Sequence, residues 1–167
     1  MSIDHPVPLA QTLAVGLGAT AVIDLWAMLR RRLFGVPALD YALVGRWLLY
    51  LPEGRCTHAP ITASAPKAYE AATGWGAHYL IGMLFALALV ALEGPAWLEA
   101  PRLLPALAVG LASVVFPFFV MQPGMGLGVA ASRAPRPWLA RGHSLLLHAL
   151  FGLAMYGTAL ALQGFTA

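Results

Sequence analysis

The chain has 167 residues, of which 60% are hydrophobic and only 10% charged. Soluble domains carry roughly 25% charged residues and about 45–50% apolar ones. A soluble chain of this length would need more polar surface than this to cover its core, so most of it is expected to face lipid. The formal net charge is +3, from ten Lys+Arg against seven Asp+Glu. The basic residues gather at the ends of apolar runs, where they set membrane topology, so nucleic acid is not an expected partner. The single cysteine, Cys56, excludes an internal disulfide and a CxxC motif. The opening segment MSIDHPVPLAQ lacks a basic n-region, so the first apolar run reads as a retained span rather than a cleaved signal.

A bilayer core takes ~20 apolar residues of helix. Four runs qualify: Pro8 to Leu29, Ala71 to Leu92, Leu103 to Met121 and Leu139 to Leu162. The first stops at Arg30-Arg31-Arg32 and the second at Glu93-Gly94-Pro95; the third carries Pro105 and Pro117, and the fourth admits Arg141 at its entry. Open strands would leave edge N–H and C=O groups unpaired in lipid. The fold class read from this is an all-α membrane protein, four transmembrane helices in a compact bundle, forming a single domain over residues 1–167. Residues 38–51 (ALDYALVGRWLLYL) are too short to span and predict a short amphipathic helix on the membrane surface, with Asp40 and Arg46 on its polar edge. Residues 52–69 and 122–137 read as irregular loops.

Arg30, Arg31, Arg32, Arg46, Arg55 and Lys67 separate the first two spans, and Arg133, Arg136 and Arg141 flank the junction of the last two. Only Arg102 falls on the opposite side, with Asp4, Glu93 and Glu99. The positive-inside rule then puts both long loops in the cytoplasm and both termini in the periplasm. Trp75, Trp97 and Trp138 fall at the ends of spans, where interfacial tryptophans are expected.

An ionisable residue inside a span costs several kcal/mol and is a functional hypothesis by default. Asp24 stands ~9 Å from the basic end of span one, His78 ~10 Å into span two and His148 ~14 Å into span four. All three fall in the same half of the membrane. Each shares a helical face with small residues: Asp24 with Gly16 and Thr20, His78 with Gly74 and Gly82, His148 with Ser144 and Gly152. Such stripes mark close helix approach, so all three are expected to point inward and converge. Glu70, His58 and Arg46 would form the mouth of this site. Asp, Glu and His around one pocket can hold a transition metal or relay protons. Two histidines from separate helices can bind a b-type haem. The bland alternative is a structural or accessory protein whose polar pair only fixes helix packing. His143, well around the helix from His148, is a poor partner for it.

The glycines of GMGLG (Gly124, Gly126, Gly128), with Arg133, Arg136 and Arg46, are candidates for binding an anion or lipid headgroup. No strand precedes the motif and it has no lysine, so a tight turn after a span is the simpler reading. Cys56 beside His58 suggests a metal pair against an incidental loop cysteine. Oligomerisation through the glycine stripes, or a partner membrane protein, is a further expectation.

Three stretches carry a resemblance: GATAVIDLWAMLRRRLFGVPALDYALVGRW, GWGAHYLIG, and PFFVMQPGMGLGVAASRAPRPW followed by SLLLHALFG. Together they resemble a family of small bacterial inner-membrane proteins known as domain of unknown function 2938. The resemblance runs from about Gly16 to Tyr156 and implies four spans. In the family pattern the positions of Asp24, Arg46, His58, Glu70, His78 and His148 carry the same residue types, whereas His143 departs from it. The resemblance implies no activity, substrate or cofactor.

Overall fold

The structure, a computed structural model, describes residues 9–166. Asp4 and the Pro8 start of the first span lie outside the described residues. Among those residues there is no strand. Four helical segments are long and apolar enough to cross a membrane: Leu9–Phe34, Glu70–Glu93, Leu103–Gly124 and Pro137–Gly164.

Helix α1 (Leu9–Phe34) runs past the expected stop and includes Arg31 and Arg32 in its last turn. Cations there oppose the negative end of the helix dipole. The helix ends at Gly35, whose left-handed φ of 64° lets its N–H reach the Arg31 carbonyl at 3.1 Å. Helix α2 (Tyr41–Tyr50) starts on Asp40, whose carboxylate accepts from the Ala42 N–H at 3.0 Å. Helix α3 (Glu70–Glu93) ends at Gly94, and the short α4 (Ala96–Glu99) turns the chain.

The third span is broken. Helix α5 (Leu103–Ala112) gives way at Ser113 to a turn, then to a π-helical stretch, Pro117–Met121, and to the short α6 (Gln122–Gly124). Pro117 has no N–H, and its ring would press on the carbonyl four residues earlier, that of Ser113. That carbonyl takes the Phe116 N–H at 3.2 Å instead. Helix α7 (Pro137–Thr166) closes the bundle.

The spans form a four-cornered bundle. Helix α1 packs on α3 and α7, and α5 packs on α7 and more lightly on α3. The small-residue stripes lie at these seams. A Cβ on Gly16 would overlap the backbone of Gly82 and Met83, and one on Gly82 would overlap the Thr20 hydroxyl. A Cβ on Gly110 would meet the Gly152 backbone, and one on Gly152 would meet that of Ala106 and Leu107. These stripes are therefore spent on contacts within one chain. Exposed Leu25, Leu80, Leu84, Leu104, Phe119 and Leu153 lie on the spans' outward faces, the surface that contacts lipid.

Two cores divide the molecule. One, away from the Arg30–Arg32 end, joins Val15 and Ala19 to Leu89, Val90, Met155 and Ala159. Trp97 belongs to it, only 2% exposed, with its indole N–H donating to the Arg102 carbonyl at 3.2 Å. Trp97 is thus an end plug rather than the interfacial residue expected, because α4 folds back onto the bundle. Trp75 and Trp138 are exposed, as expected of interfacial residues.

The second core lies at the basic end, where Trp47 and Tyr50 of α2 meet Ile61 and Met125. Both stretches expected to be irregular contribute to it. The His58 N–H donates to the Gly124 carbonyl at 2.9 Å and the Ile61 N–H to the Met125 carbonyl at 3.0 Å. These bonds zip the two loops into one cap. Helix α2 does not lie apart on the surface. It runs antiparallel against the first turns of α3, so closely that a Cβ on Gly45 would overlap the Glu70 carbonyl and one on Gly74 the Tyr41 carbonyl.

Candidate functional site

Asp24 and His78 do meet. The seam of Gly16, Thr20 and Gly82 brings α1 against α3, and one turn further Asp24 Oδ1 stands 3.0 Å from His78 Nε2. The two side chains are 20% and 19% exposed, respectively. Tyr79 donates its hydroxyl to Asp24 Oδ2 at 2.8 Å, so both carboxylate oxygens are engaged. Tyr41 of α2 stacks on the His78 ring with centroids 4.2 Å apart, and its hydroxyl lies 3.0 Å from the same Nε2. Burial, with the Asp24 charge adding to it, pushes the Tyr41 hydroxyl well above the ordinary tyrosine range. It therefore stays protonated at neutral pH.

One imidazole nitrogen offers either one N–H or one lone pair. His78 Nε2 cannot serve Asp24 and Tyr41 fully at once. With Nε2 protonated it donates to Asp24 and the Tyr41 oxygen shares that proton. With Nε2 bare it accepts from Tyr41 and the Asp24 contact needs a proton from elsewhere. The position of one proton therefore decides which pairing is made.

The cluster adjoins a cleft of about 480 Å³. Tyr41 and Trp75 form its inner wall, and Arg31 and Asp40 stand among the residues that line it. This cleft opens between the end of α1 and the start of α2. Glu70, His58 and Arg46, the mouth expected from the sequence, do not line it.

Those residues have other duties. Arg46 grips Glu70 with two parallel bonds, Nε to Oε2 and Nη2 to Oε1, both 2.8 Å. Its Nη1 donates to the Ser64 carbonyl at 3.1 Å, and Glu70 also accepts from the Lys67 N–H at 2.9 Å. The bond to Glu70 holds the Arg46 guanidinium charged, above its ordinary range. This fork locks α2, the loop and the start of α3 together, and it leaves neither partner for a metal or an anion. His58 is buried in the cap, its Nδ1 2.7 Å from the Ser64 hydroxyl.

His148 is not brought to the pair. Ser113 donates to the Gly110 carbonyl at 2.6 Å, so its oxygen accepts from His148 Nδ1–H, also at 2.6 Å. The bond spans the α5–α7 seam beside Gly110 and Gly152. Phe85, two turns from His78, packs edge-on against Phe116 and Phe151, each three residues from Ser113 or His148. Helices α3 and α7 occupy opposite corners of the bundle, which separates the two histidines. Among the described residues no group of three or more His, Cys, Asp and Glu side chains is placed to hold a metal ion.

The GMGLG segment is small for packing. A Cβ on Gly124 would overlap the Trp47 indole, and one on Gly126 would meet the His58 carbonyl. Gly126 and Gly128 have left-handed φ of 93° and 74°. The Gly126 N–H is used by the Pro123 carbonyl at 3.1 Å, not left free for a phosphate. Arg136 is exposed, and Arg133 lines a separate cleft. Arg141 donates to the Ala130 carbonyl at 2.8 Å, with its guanidinium 4.7 Å over the Trp138 ring.

Sequence reasoning missed Tyr41, Tyr79 and Ser113. Tyr79 was legible as the neighbour of His78, and Ser113 as the residue four before Pro117. Tyr41 was hidden in a helix expected to lie flat on the membrane.

No curated protein and no solved structure matches the chain. The family described as protein of unknown function DUF2938 matches residues 13–162, nearly the whole described bundle. The matched range takes in the Asp24–His78 cluster, the Arg46–Glu70 fork and the His148–Ser113 bond, and the chain belongs to that family.

Proposed function

We propose that the Asp24–His78 pair is a proton-exchanging site, reached from the arginine-bearing face of the bundle, and that it serves a transporter or a membrane enzyme. One observation carries this reading: His78 Nε2 is shared between a carboxylate and a partly buried phenol at 3.0 Å each, beside an open cleft. An imidazole so placed can take up a proton at its other nitrogen while Asp24 balances the charge. The arginine-bearing face is assigned to the cytoplasm of a bacterial inner membrane, with both termini periplasmic, because Arg102 alone among the basic residues lies at the other end.

A metal ion is the weaker use of this pair. It would find two protein ligands here, Asp24 and His78, where resident sites usually supply three or four. A bis-histidine haem would need His78 and His148, which stand on opposite corners. The structural reading has its own support: the Asp24 oxygens are both engaged, and the Gly16–Gly82 contact lies two turns away on the same face.

Reconstitution into vesicles with a pH-sensitive dye on the arginine-bearing side tests the proposal. Proton uptake should be saturable and lost in Asp24→Asn and in His78→Phe, with both variants still folded. Uptake that persists in both variants would refute it. Stoichiometric metal retained by the wild type and lost in Asp24→Asn would replace it with the metal reading.

A further inference from the structure

A second cleft, of about 920 Å³, opens in the cap at the basic end, formed by the loop after α2 and the turn that follows α6. Its lining includes Arg55, Thr57, His58, Ser64, Ser132 and Arg133 and no carboxylate. The cleft therefore carries positive charge and hydroxyl donors with nothing acidic to neutralise them. Neither Arg55 nor Arg133 enters an ion pair among the described residues. Arg55 is held with its guanidinium 4.5 Å over the Tyr50 ring, which leaves its N–H edge free to bond. The Arg133 backbone is fixed by its N–H bond to the Leu127 carbonyl at 2.8 Å.

His58 stands in this wall and is only 7% exposed. Its backbone is pinned to Gly124, its ring tilts against Tyr50 at 5.0 Å, and its Nδ1 is 2.7 Å from Ser64. Its Nε2 is buried and has no partner among the described residues. A buried ring nitrogen left unpaired is costly, so a fold that fixes the other edge of the ring this firmly and leaves Nε2 unpaired points to a ligand atom. When Ser64 donates to Nδ1, Nε2 carries the proton and is a donor. Two guanidinium groups and the hydroxyls of Thr57 and Ser132 line the cleft, and the His58 ring stands in its wall.

We propose that this cleft binds a phosphate-bearing anion. Guanidinium forks and hydroxyl donors match the oxygens of a phosphomonoester. Val129, 51% exposed, also lines the cleft and offers an apolar wall beside the charged groups. That wall fits the glycerol end of a lipid headgroup, and the same polar groups fit a soluble phosphate. The site is independent of the Asp24–His78 pair, so failure of either leaves the other standing.

The test is binding to the full chain in phosphatidylcholine nanodiscs. Inorganic phosphate is titrated by calorimetry, and retention of phosphatidic acid doped into the discs is read by native mass spectrometry. Saturable binding of phosphate supports the site and assigns a soluble ligand; retention of phosphatidic acid alone supports it and assigns a lipid headgroup. Arg55→Gln and Arg133→Gln, both at exposed side chains, should each weaken binding about tenfold. Arg32→Gln, exposed and outside the cleft, should leave it unchanged. The proposal is overturned if neither ligand binds, or if Arg32→Gln weakens binding as much as Arg133→Gln, which would mean diffuse attraction to a basic surface.

Discussion

Tyr41 places its hydroxyl 3.0 Å from His78 Nε2, the nitrogen that also faces Asp24. Helix α2, too short to span, thereby reaches the ionisable centre of the bundle. It does so because Gly45 and Gly74 let two backbones touch. The position of α2 and the hydrogen bonding of His78 are thus one structural fact.

Gly74→Ala should push α2 off α3, because the new methyl would overlap the Tyr41 carbonyl. Overpacking of this kind costs about 1–3 kcal/mol. Gly76→Ala, on the same helix with open space around it, should be neutral or stabilising. Thermal unfolding of both variants in detergent checks the contrast.

Arg46→Lys should loosen α2 although the charge is kept. Lysine cannot make the paired bonds to Glu70 and the further bond to Ser64. Faster proteolysis in residues 52–69, with the spans still intact, is the expected readout.

Tyr41→Phe should change the alkaline limb of stability. The folded state holds the phenolic proton more tightly than the unfolded chain does. The contribution is therefore full below about pH 10 and is lost as the pH rises above that, toward the folded value. A shallower loss of stability in Tyr41→Phe than in the wild type, measured between neutral and strongly alkaline pH, is the expected result.

Ser113→Ala should remove the hydroxyl that bridges Gly110 and His148 across the α5–α7 seam. A cost of about 1 kcal/mol follows from the lost hydrogen bonds. Proton uptake at Asp24–His78 should be unaffected, because that pair lies on the α1–α3 seam and Ser113 on the α5–α7 seam.

The spans were legible because lipid demands long apolar helices, and the arginine triplet, Glu93 and the prolines punctuate them. The Asp24–His78 contact was legible from the shared glycine faces. The expected convergence of His148 failed for a reason the sequence hides: the same small-residue rule that turns His78 toward α1 turns His148 toward α5, since Gly152 meets Ala106 and Gly110. Depth along a helix is readable from residue number, but the choice of neighbour depends on how four corners close. The cap was missed because pairing of His58 and Ile61 with Gly124 and Met125 joins segments far apart in the chain and has no periodic signal.

The central claim is that His78 exchanges a proton through a nitrogen shared with Asp24 and Tyr41. The most direct measurement is the nitrogen NMR spectrum of labelled histidine in nanodiscs, recorded across the neutral pH range for wild type, Asp24→Asn and Tyr41→Phe. The account predicts a reversible titration of the His78 imidazole that moves in both variants. A His78 signal that stays fixed across that range, in protein that is folded and with the other histidines titrating, would contradict it.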